Sequence, residues 1–160
     1  MNYIYPIRTF LAVALVGITV PLLSTAAMAS DCPPGKIGTD VMKPGAMAPK
    51  DVTDTVIASI DLGRGYNIDG RLLRMRKLVV QPGGIVPWHS HAERPANIYI
   101  VSGAITEYRS TCAVPLEHTA GDVTAEYGNL SHWWKNNTTM PAVLISSDIV
   151  PMPKKDDMGM

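Results

Sequence analysis

Three of the four histidines fall in two segments that are bounded by turn residues and rich in strand-forming side chains. His89 and His91 are two residues apart, so on a β-strand both side chains point to the same face. Two neutral imidazoles side by side can chelate one metal ion, whereas two protonated ones would repel each other. His132 supplies an imidazole from the second segment, and His118 is interpreted as a loop residue outside the site. A His-x-His pair by itself is a weak signal, because paired surface histidines are common.

The elements that must position these histidines are short apolar runs separated by turns. Val, Ile, Thr, Tyr and Trp are frequent in the runs, and a Gln-Pro-Gly-Gly sequence at 81–84 marks one of the predicted turns. No segment after residue 53 repeats with the 3.6-residue period of a helix. The pattern therefore predicts an all-β sandwich or barrel. The predicted strands are 55–62, 72–81, 86–91, 96–101, 104–109, 122–127, 130–135 and 142–150.

Residues 1–29 have the order of a secretory signal peptide. Arg8 is the only charged side chain among them, an apolar run follows it over 10–23, and the segment ends in Ala-Met-Ala. The run is short for a membrane span, which needs about 20 apolar residues, so an uncleaved anchor is the weaker interpretation. We expect cleavage after Ala29 and a mature protein that is periplasmic or secreted, with no membrane attachment.

The rest of the chain divides into an arm, one domain and a tail. Residues 30–53 hold four prolines and three glycines and are predicted to form an extended arm. Residues 54–150 are predicted to form the β domain, and 151–160 a flexible tail. Cys32 lies in the arm and Cys112 in the domain. An oxidising compartment permits a disulfide between them that would tie the arm to the domain, with two unpaired thiols as the alternative.

The composition excludes several classes of protein. Fourteen basic and 14 acidic side chains give zero net charge, so there is no electrostatic footprint for nucleic acid. The chain has 18% charged and 46% hydrophobic residues, which disfavours global disorder. Two cysteines cannot form a disulfide-rich scaffold, and 160 residues suit one domain. We expect a small-molecule ligand or substrate and no nucleic-acid partner.

The spacing of glycines and histidines resembles the first motif of the cupin superfamily, the small jelly-roll β-barrels. That motif runs from a Gly through five residues to His-x-His, then to a Glu and a closing Gly. Here five residues separate Gly83 from the pair formed by His89 and His91, and Gly103 closes the motif. Counting back from Gly103, the family's metal-binding Glu position falls on Ala96.

The second cupin motif is also recognisable. It begins at Gly121, with His132 at its histidine position and Asn136 at its asparagine position. Tyr127 and Asn129 replace the usual Pro and Gly. The resemblance extends over roughly residues 70–150, most of the predicted domain, and implies a cupin-type double-stranded jelly-roll β-barrel that carries the extended arm.

The resemblance implies that His89, His91 and His132 bind one divalent metal ion inside this barrel. Because Ala96 stands at the Glu position, we expect no carboxylate beside the histidines. Glu93 is interpreted as a solvated loop acid, with inward rotation to ligate the metal as the weaker alternative. Three neutral imidazoles leave the ion its full +2 charge, which favours anionic or enolisable ligands. Open coordination positions would accept water, dioxygen or a chelating substrate.

The identity of the metal stays open among Fe, Mn, Zn and Cu. Three-histidine iron sites in the superfamily resemble those of thiol, diketone and gentisate dioxygenases, an analogy at the level of the fold. Copper and zinc have higher intrinsic affinity for nitrogen ligands, and an exported protein takes its metal outside the cytoplasm. The predicted function is a dioxygenase-type oxidoreductase acting on a small organic substrate. The alternative is a non-catalytic module that binds metal or a small ligand, and the resemblance also implies a homodimer.

Strand alternation predicts the walls of the ligand cavity. One strand turns alternate residues inward at 96, 98 and 100, and another turns Trp134 toward the metal beside His132. Simple packing of the barrel interior explains an inward-facing Trp134 equally well. The predicted lining residues are Ala96, Ile98, Ile100 and Trp134, and the candidate polar groups around them are Tyr99, Glu107, Tyr108 and Arg109.

Overall fold

The computed structural model describes residues 31–153. The predicted signal peptide, 1–29, and residues 154–160 of the predicted tail lie outside the described residues. Within residues 31–153 every regular element is a β-strand. This part of the chain therefore contains no helix that is long and apolar enough to cross a membrane. The strands are β1 (Lys50–Asp61), β2 (Arg71–Ser90), β3 (Ala96–Ser102), β4 (Ala104–Arg109), β5 (Leu116–Thr119), β6 (Val123–Glu126), β7 (Ser131–Lys135) and β8 (Ala142–Pro151).

The strands form one curled antiparallel sheet in which β2 belongs to both halves. The hydrogen-bonded order is β5-β4-β7-β2-β8-β3-β6, and β1 also pairs with β2. The first part of β2 pairs with β8, up to Val80 opposite Ala142. The last part pairs with β7, from Ile85 opposite Lys135 onward. This arrangement is the cupin-type double-stranded jelly-roll barrel, so the predicted fold class is confirmed.

The two strands predicted on either side of residues 81–84 are one continuous strand of 20 residues. Gly83 has a φ of 75°, a left-handed conformation that glycine adopts without strain. A Cβ on Gly84 would lie 2.7 Å from the carbonyl oxygens of Asp51 and Gln81. The predicted turn was wrong because the two glycines bend the strand from one half of the barrel to the other without ending it.

The interior of the barrel combines an apolar cluster with buried ionisable side chains. The apolar cluster includes Val80, Ile100 and Ile105, and the alternation of buried and exposed residues along β3 and β8 aims such side chains inward. The buried ionisable side chains include histidines and glutamates. Such groups are rare in a protein interior unless they have partners, so a functional site is expected where they cluster.

The N-terminal arm is fixed to the barrel. Cys32 and Cys112 form a disulfide, and Ile37 makes a β-bridge with Cys112. Further along, the backbone N–H of Trp88 donates to the carbonyl of Ala46 at 2.7 Å. The arm is irregular up to β1, which begins before the predicted domain boundary at residue 54.

The ordered sheet also extends past the predicted end of the domain at residue 150. Strand β8 ends at Pro151, and the Met152 N–H donates to the carbonyl of Gly70 at 2.9 Å. The first residues of the predicted tail are therefore held against the start of β2.

Candidate metal centre

Strands β2 and β7 bring the three histidines to one point. His89 and His132 are direct partners in the register of these strands. His91 follows the last residue of β2, and its backbone N–H donates to the carbonyl of Leu130 at 2.8 Å. The Nε2 atom of His91 lies 3.0 Å from that of His89 and 2.9 Å from that of His132. The remaining pair, His89 and His132, is separated by 3.2 Å.

The other nitrogen of each imidazole is held by an acceptor. His89 and His91 each donate from Nδ1 to a backbone carbonyl oxygen at 2.8 Å. His132 donates from Nδ1 to Oε1 of Glu107 at 2.5 Å. These oxygens place the ring proton on Nδ1, so the lone pair of each neutral ring lies on Nε2. The three lone pairs then converge, with no proton between them.

Burial keeps the three imidazoles neutral. It is the largest cause that lowers the pKa of His89 to about 3 and of His91 to about 4, and the neighbouring His132 lowers both further. Burial also lowers the pKa of His132, although the hydrogen bond with Glu107 opposes it. Converging neutral imidazoles repel one another unless a cation lies among them, and this donor set fits a divalent transition metal ion.

A buried carboxylate also faces the histidines. Glu126, the last residue of β6, is 1% exposed. Its Oε2 lies 3.1 Å from Nε2 of His91, and its Oε1 lies 3.5 Å from Nδ1 of His132. Oε1 has no hydrogen-bond partner among the described residues. Burial, reinforced by the negative charge of Glu107, raises the pKa of Glu126.

The expectation that no carboxylate lies beside the histidines was therefore wrong. The reason is the pairing of β3 with β6, in which Glu126 stands directly opposite Ala96. Alternation along β6 turns Thr124 and Glu126 inward, a signal that the sequence does contain. The sequence does not show that β6 lies beside β3. Glu93 is exposed in the loop before β3, as expected of a solvated acid.

Glu107 on β4 anchors the site from behind His132. Besides the His132 imidazole, it accepts hydrogen bonds from Nε2 of His118 at 2.9 Å and Nε of Arg109 at 3.0 Å. Burial on its own would raise the pKa of Glu107, but the hydrogen bonds from His118 and His132 lower it, so this carboxylate is ionised. Glu107, Glu126 and His132 also have ligand atoms close together. A metal ion there would need Nδ1 of His132, which already donates to Glu107.

The interpretation of His118 as a loop residue was wrong. His118 lies in β5 and is 1% exposed, with its ring centroid 4.9 Å from that of Trp134. Strand β5 has four residues, which is too short to produce a clear period in the sequence. Its pairing with β4 places His118 opposite Ile105 and brings the imidazole to Glu107.

Two of the four candidate polar groups contact the histidine site, and two lie elsewhere. Glu107 and Arg109 are linked to His132 as described. Tyr99 is 45% exposed, and Tyr108 stacks on Trp133 with ring centroids 4.2 Å apart. Glu107 and Tyr108 are neighbours on β4, and neighbouring residues of a strand point to opposite faces. Glu107 therefore faces the histidines, and Tyr108 faces away from them.

A cavity of about 220 Å³ adjoins the histidine cluster, and both His89 and Glu126 line it. Ile98 and Trp134 are among its apolar walls, and Trp134 meets the His132 ring at an edge, with centroids 5.7 Å apart. The other two predicted lining residues, Ala96 and Ile100, are buried in the adjoining hydrophobic core.

Two arginines, Arg76 and Arg94, line the cavity together with two acidic side chains, Asp54 and Glu126. Arg76 pairs with Asp54 and, at 3.5 Å, with Asp148, while its Nε is buried with no hydrogen-bond partner in the described part of the chain. Arg94 lies 3.7 Å from Oδ2 of Asp148, and burial lowers its pKa. Incompletely paired guanidinium groups of this kind favour an anionic ligand.

Comparison with known proteins connects this geometry to a family. Residues 76–148 match the family model of the cupin domain. Nectarin-1 of Nicotiana plumbaginifolia is 28% identical over 110 residues, which are 67% of this chain and 47% of that protein. The chain thus spans about half the length of this curated relative.

Two solved structures are similar at lower identity. A predicted oxalate decarboxylase from Thermotoga maritima has a TM-score of 0.51 and 16% identity, covering 71% of this chain and 97% of that one. The Cnp3 cupin domain of Schizosaccharomyces pombe has a TM-score of 0.51 and 9% identity, covering 70% of this chain and 73% of that one. These structures share the fold, and the family model covers the strands that carry all three clustered histidines. Residues 76–148 therefore form a cupin domain.

Proposed function

We propose that this protein is an exported cupin that binds one divalent metal ion through His89, His91 and His132 and catalyses dioxygenase-type oxidation of a small organic anion. One observation carries the proposal: the three Nε2 atoms converge within 3.2 Å of one another while each Nδ1 donates to an acceptor. Such a cluster is poorly satisfied by protons and well satisfied by a transition metal ion.

The metal, when bound, supplies Lewis acidity and, if it is Fe, Mn or Cu, one-electron oxygen chemistry. The protein contributes the rest of the site. Glu107 holds the His132 ring in one orientation and keeps its proton on Nδ1. Ile98 and Trp134 give the cavity apolar walls that exclude water from a bound substrate.

Arg76 and Arg94 support a small anionic substrate. Both line the cavity together with His89, so an anion held by the guanidinium groups would lie beside the histidine cluster. The volume of about 220 Å³ limits the substrate to a small molecule. A carboxylate fits the planar, bidentate geometry of a guanidinium group.

The Cys32–Cys112 disulfide supports the proposed export. Disulfides persist in oxidising compartments and are rare in the cytosol. Together with the signal-like order of residues 1–29, it favours a periplasmic or secreted site of action.

The test is elemental analysis and oxygen uptake on the mature protein isolated from the periplasm. We expect stoichiometric Fe, Mn, Zn or Cu in the parent and in the exposed-acid control E93Q, and none in H89A/H132A. We also expect oxygen uptake with at least one member of a panel of small carboxylates and enolisable carbonyl compounds. Stoichiometric metal in H89A/H132A would refute the ligand assignment. A metal-loaded parent without any turnover would favour the non-catalytic binding module.

A further inference from the structure

We infer that Glu126 is a fourth ligand of the metal ion, supplied by β6 to a site whose histidines come from β2 and β7. This inference rests on the proposed function, because it requires an ion at the histidine cluster. It assigns an anionic oxygen ligand to a site that the three imidazoles alone would leave with neutral donors.

The first observation is that Glu126 is buried without adequate partners. Its side chain is 2% exposed, and one carboxylate oxygen, Oε1, makes no hydrogen bond within residues 31–153. Buried carboxylates ordinarily pair with cations, bind metal ions or accept several hydrogen bonds. The ion-pair contacts of Glu126 in this part of the chain are with His91 and His132, whose Nδ1 atoms already donate to the carbonyl of Arg94 and to Glu107. A cation is the partner that this carboxylate lacks.

The second observation is the crowding of electron-pair donors around His91. Its Nε2 has Nε2 of His89 at 3.0 Å, Nε2 of His132 at 2.9 Å and Oε2 of Glu126 at 3.1 Å. A single proton on His91 would satisfy at most one of these three neighbours. A divalent ion beside Nε2 of His91 would attract the carboxylate and the neighbouring imidazoles alike.

The third observation is that the other nearby acids are already committed or face solvent. Glu107 accepts hydrogen bonds from His132, His118 and Arg109, so its oxygens are occupied. Glu93 is exposed in the loop before β3. Glu126 is therefore the carboxylate that is both available and inside the site.

The test is metal binding by the metal-free mature protein, compared among the parent, E126Q, E126A and the exposed-acid control E93Q. Zn²⁺ affinity is measured by calorimetry, and the visible spectrum of the Co²⁺ form reports the number and type of ligands. We expect E93Q to bind Zn²⁺ as tightly as the parent. We expect E126Q and E126A to bind Zn²⁺ roughly 100-fold more weakly, a loss at or beyond the largest that follows when a group hydrogen-bonded to a metal ligand is removed. We also expect an altered Co²⁺ spectrum in both Glu126 variants.

Circular dichroism of the metal-free variants verifies that each is folded. If E126Q does not fold, the comparison with the parent is made with E126A. Parent-like affinity with a parent-like Co²⁺ spectrum in the folded variants would overturn the inference. Weaker binding with an unchanged Co²⁺ spectrum would also overturn it, because Glu126 would then act through its charge and not as a ligand. A parent that binds no ion would instead sink the proposed function. If H89A/H132A loses the metal but E126Q keeps the Zn²⁺ affinity and Co²⁺ spectrum of the parent, this inference is refuted and the proposed three-histidine site stands.

Discussion

Replacing Glu107 with Gln tests whether the carboxylate behind His132 tunes the metal site. Gln keeps the shape of the side chain but replaces one oxygen by an NH₂ group and removes the negative charge. In the structure that carboxylate accepts three N–H groups, from His132 at 2.5 Å, His118 at 2.9 Å and Arg109 at 3.0 Å. The variant therefore loses an acceptor for one of these donors and weakens the orientation of the His132 ring.

The size of the effect follows from burial and from the short contact. A carboxylate that orients a ligating histidine typically contributes about 10- to 100-fold in metal affinity. Glu107 is 0% exposed, so solvent does not screen the contact with His132, and we expect the upper end of that range. A roughly 100-fold loss corresponds to about 2.7 kcal/mol of binding free energy. The metal-free variant should also lose about 1–3 kcal/mol of unfolding free energy, because one buried N–H is left without an acceptor.

The assay is Zn²⁺ calorimetry together with urea unfolding of the metal-free protein. E93Q, the same substitution at an exposed acid near the site, is the matched control and should match the parent in both measurements. Parent-like Zn²⁺ affinity in E107Q would refute the idea that this hydrogen bond positions His132. A loss of stability without a loss of affinity would show that Glu107 serves the fold alone.

Two further predictions concern stability. The Cys32–Cys112 disulfide joins residues 80 apart in the sequence, so in the chain-entropy model C32S/C112S should lose about 4–5 kcal/mol of unfolding free energy in urea, and a loss below about 1 kcal/mol would contradict this. The side chain of Asp148 is fully buried and accepts hydrogen bonds from Arg74 at 3.0 and 2.8 Å. D148N should therefore lose about 3 kcal/mol of unfolding free energy, measured by urea unfolding at pH 7. Burial opposes ionisation of Asp148, but the Arg74 hydrogen bonds prevail and lower its pKa. The stabilisation is therefore complete above the pKa of an unfolded aspartate, around 4, and disappears as the pH falls through the lower folded pKa. A parent and D148N that lose stability equally on acidification would contradict this account.

Strand alternation and motif spacing were enough to predict much of this protein. The all-β class and the strands that carry His89, His91 and His132 followed from local patterns in the chain, and the resemblance to the cupin motifs implied the jelly-roll barrel. The inward direction of Ile98 and Trp134 followed in the same way, because successive residues of any β-strand point to opposite faces. That rule depends on backbone geometry alone, so a sequence can express it.

Tertiary structure decided which side chains from different strands meet. Glu126 faces the histidines because β6 pairs with β3, and His118 reaches Glu107 because β5 pairs with β4. The glycines at 83 and 84 bend β2 because its two ends join different partners. Strand pairing depends on the burial and hydrogen bonding of segments far apart in the chain. The sequence therefore determined which residues point into the barrel, whereas only the packed sheet decided that a carboxylate stands among the three histidines.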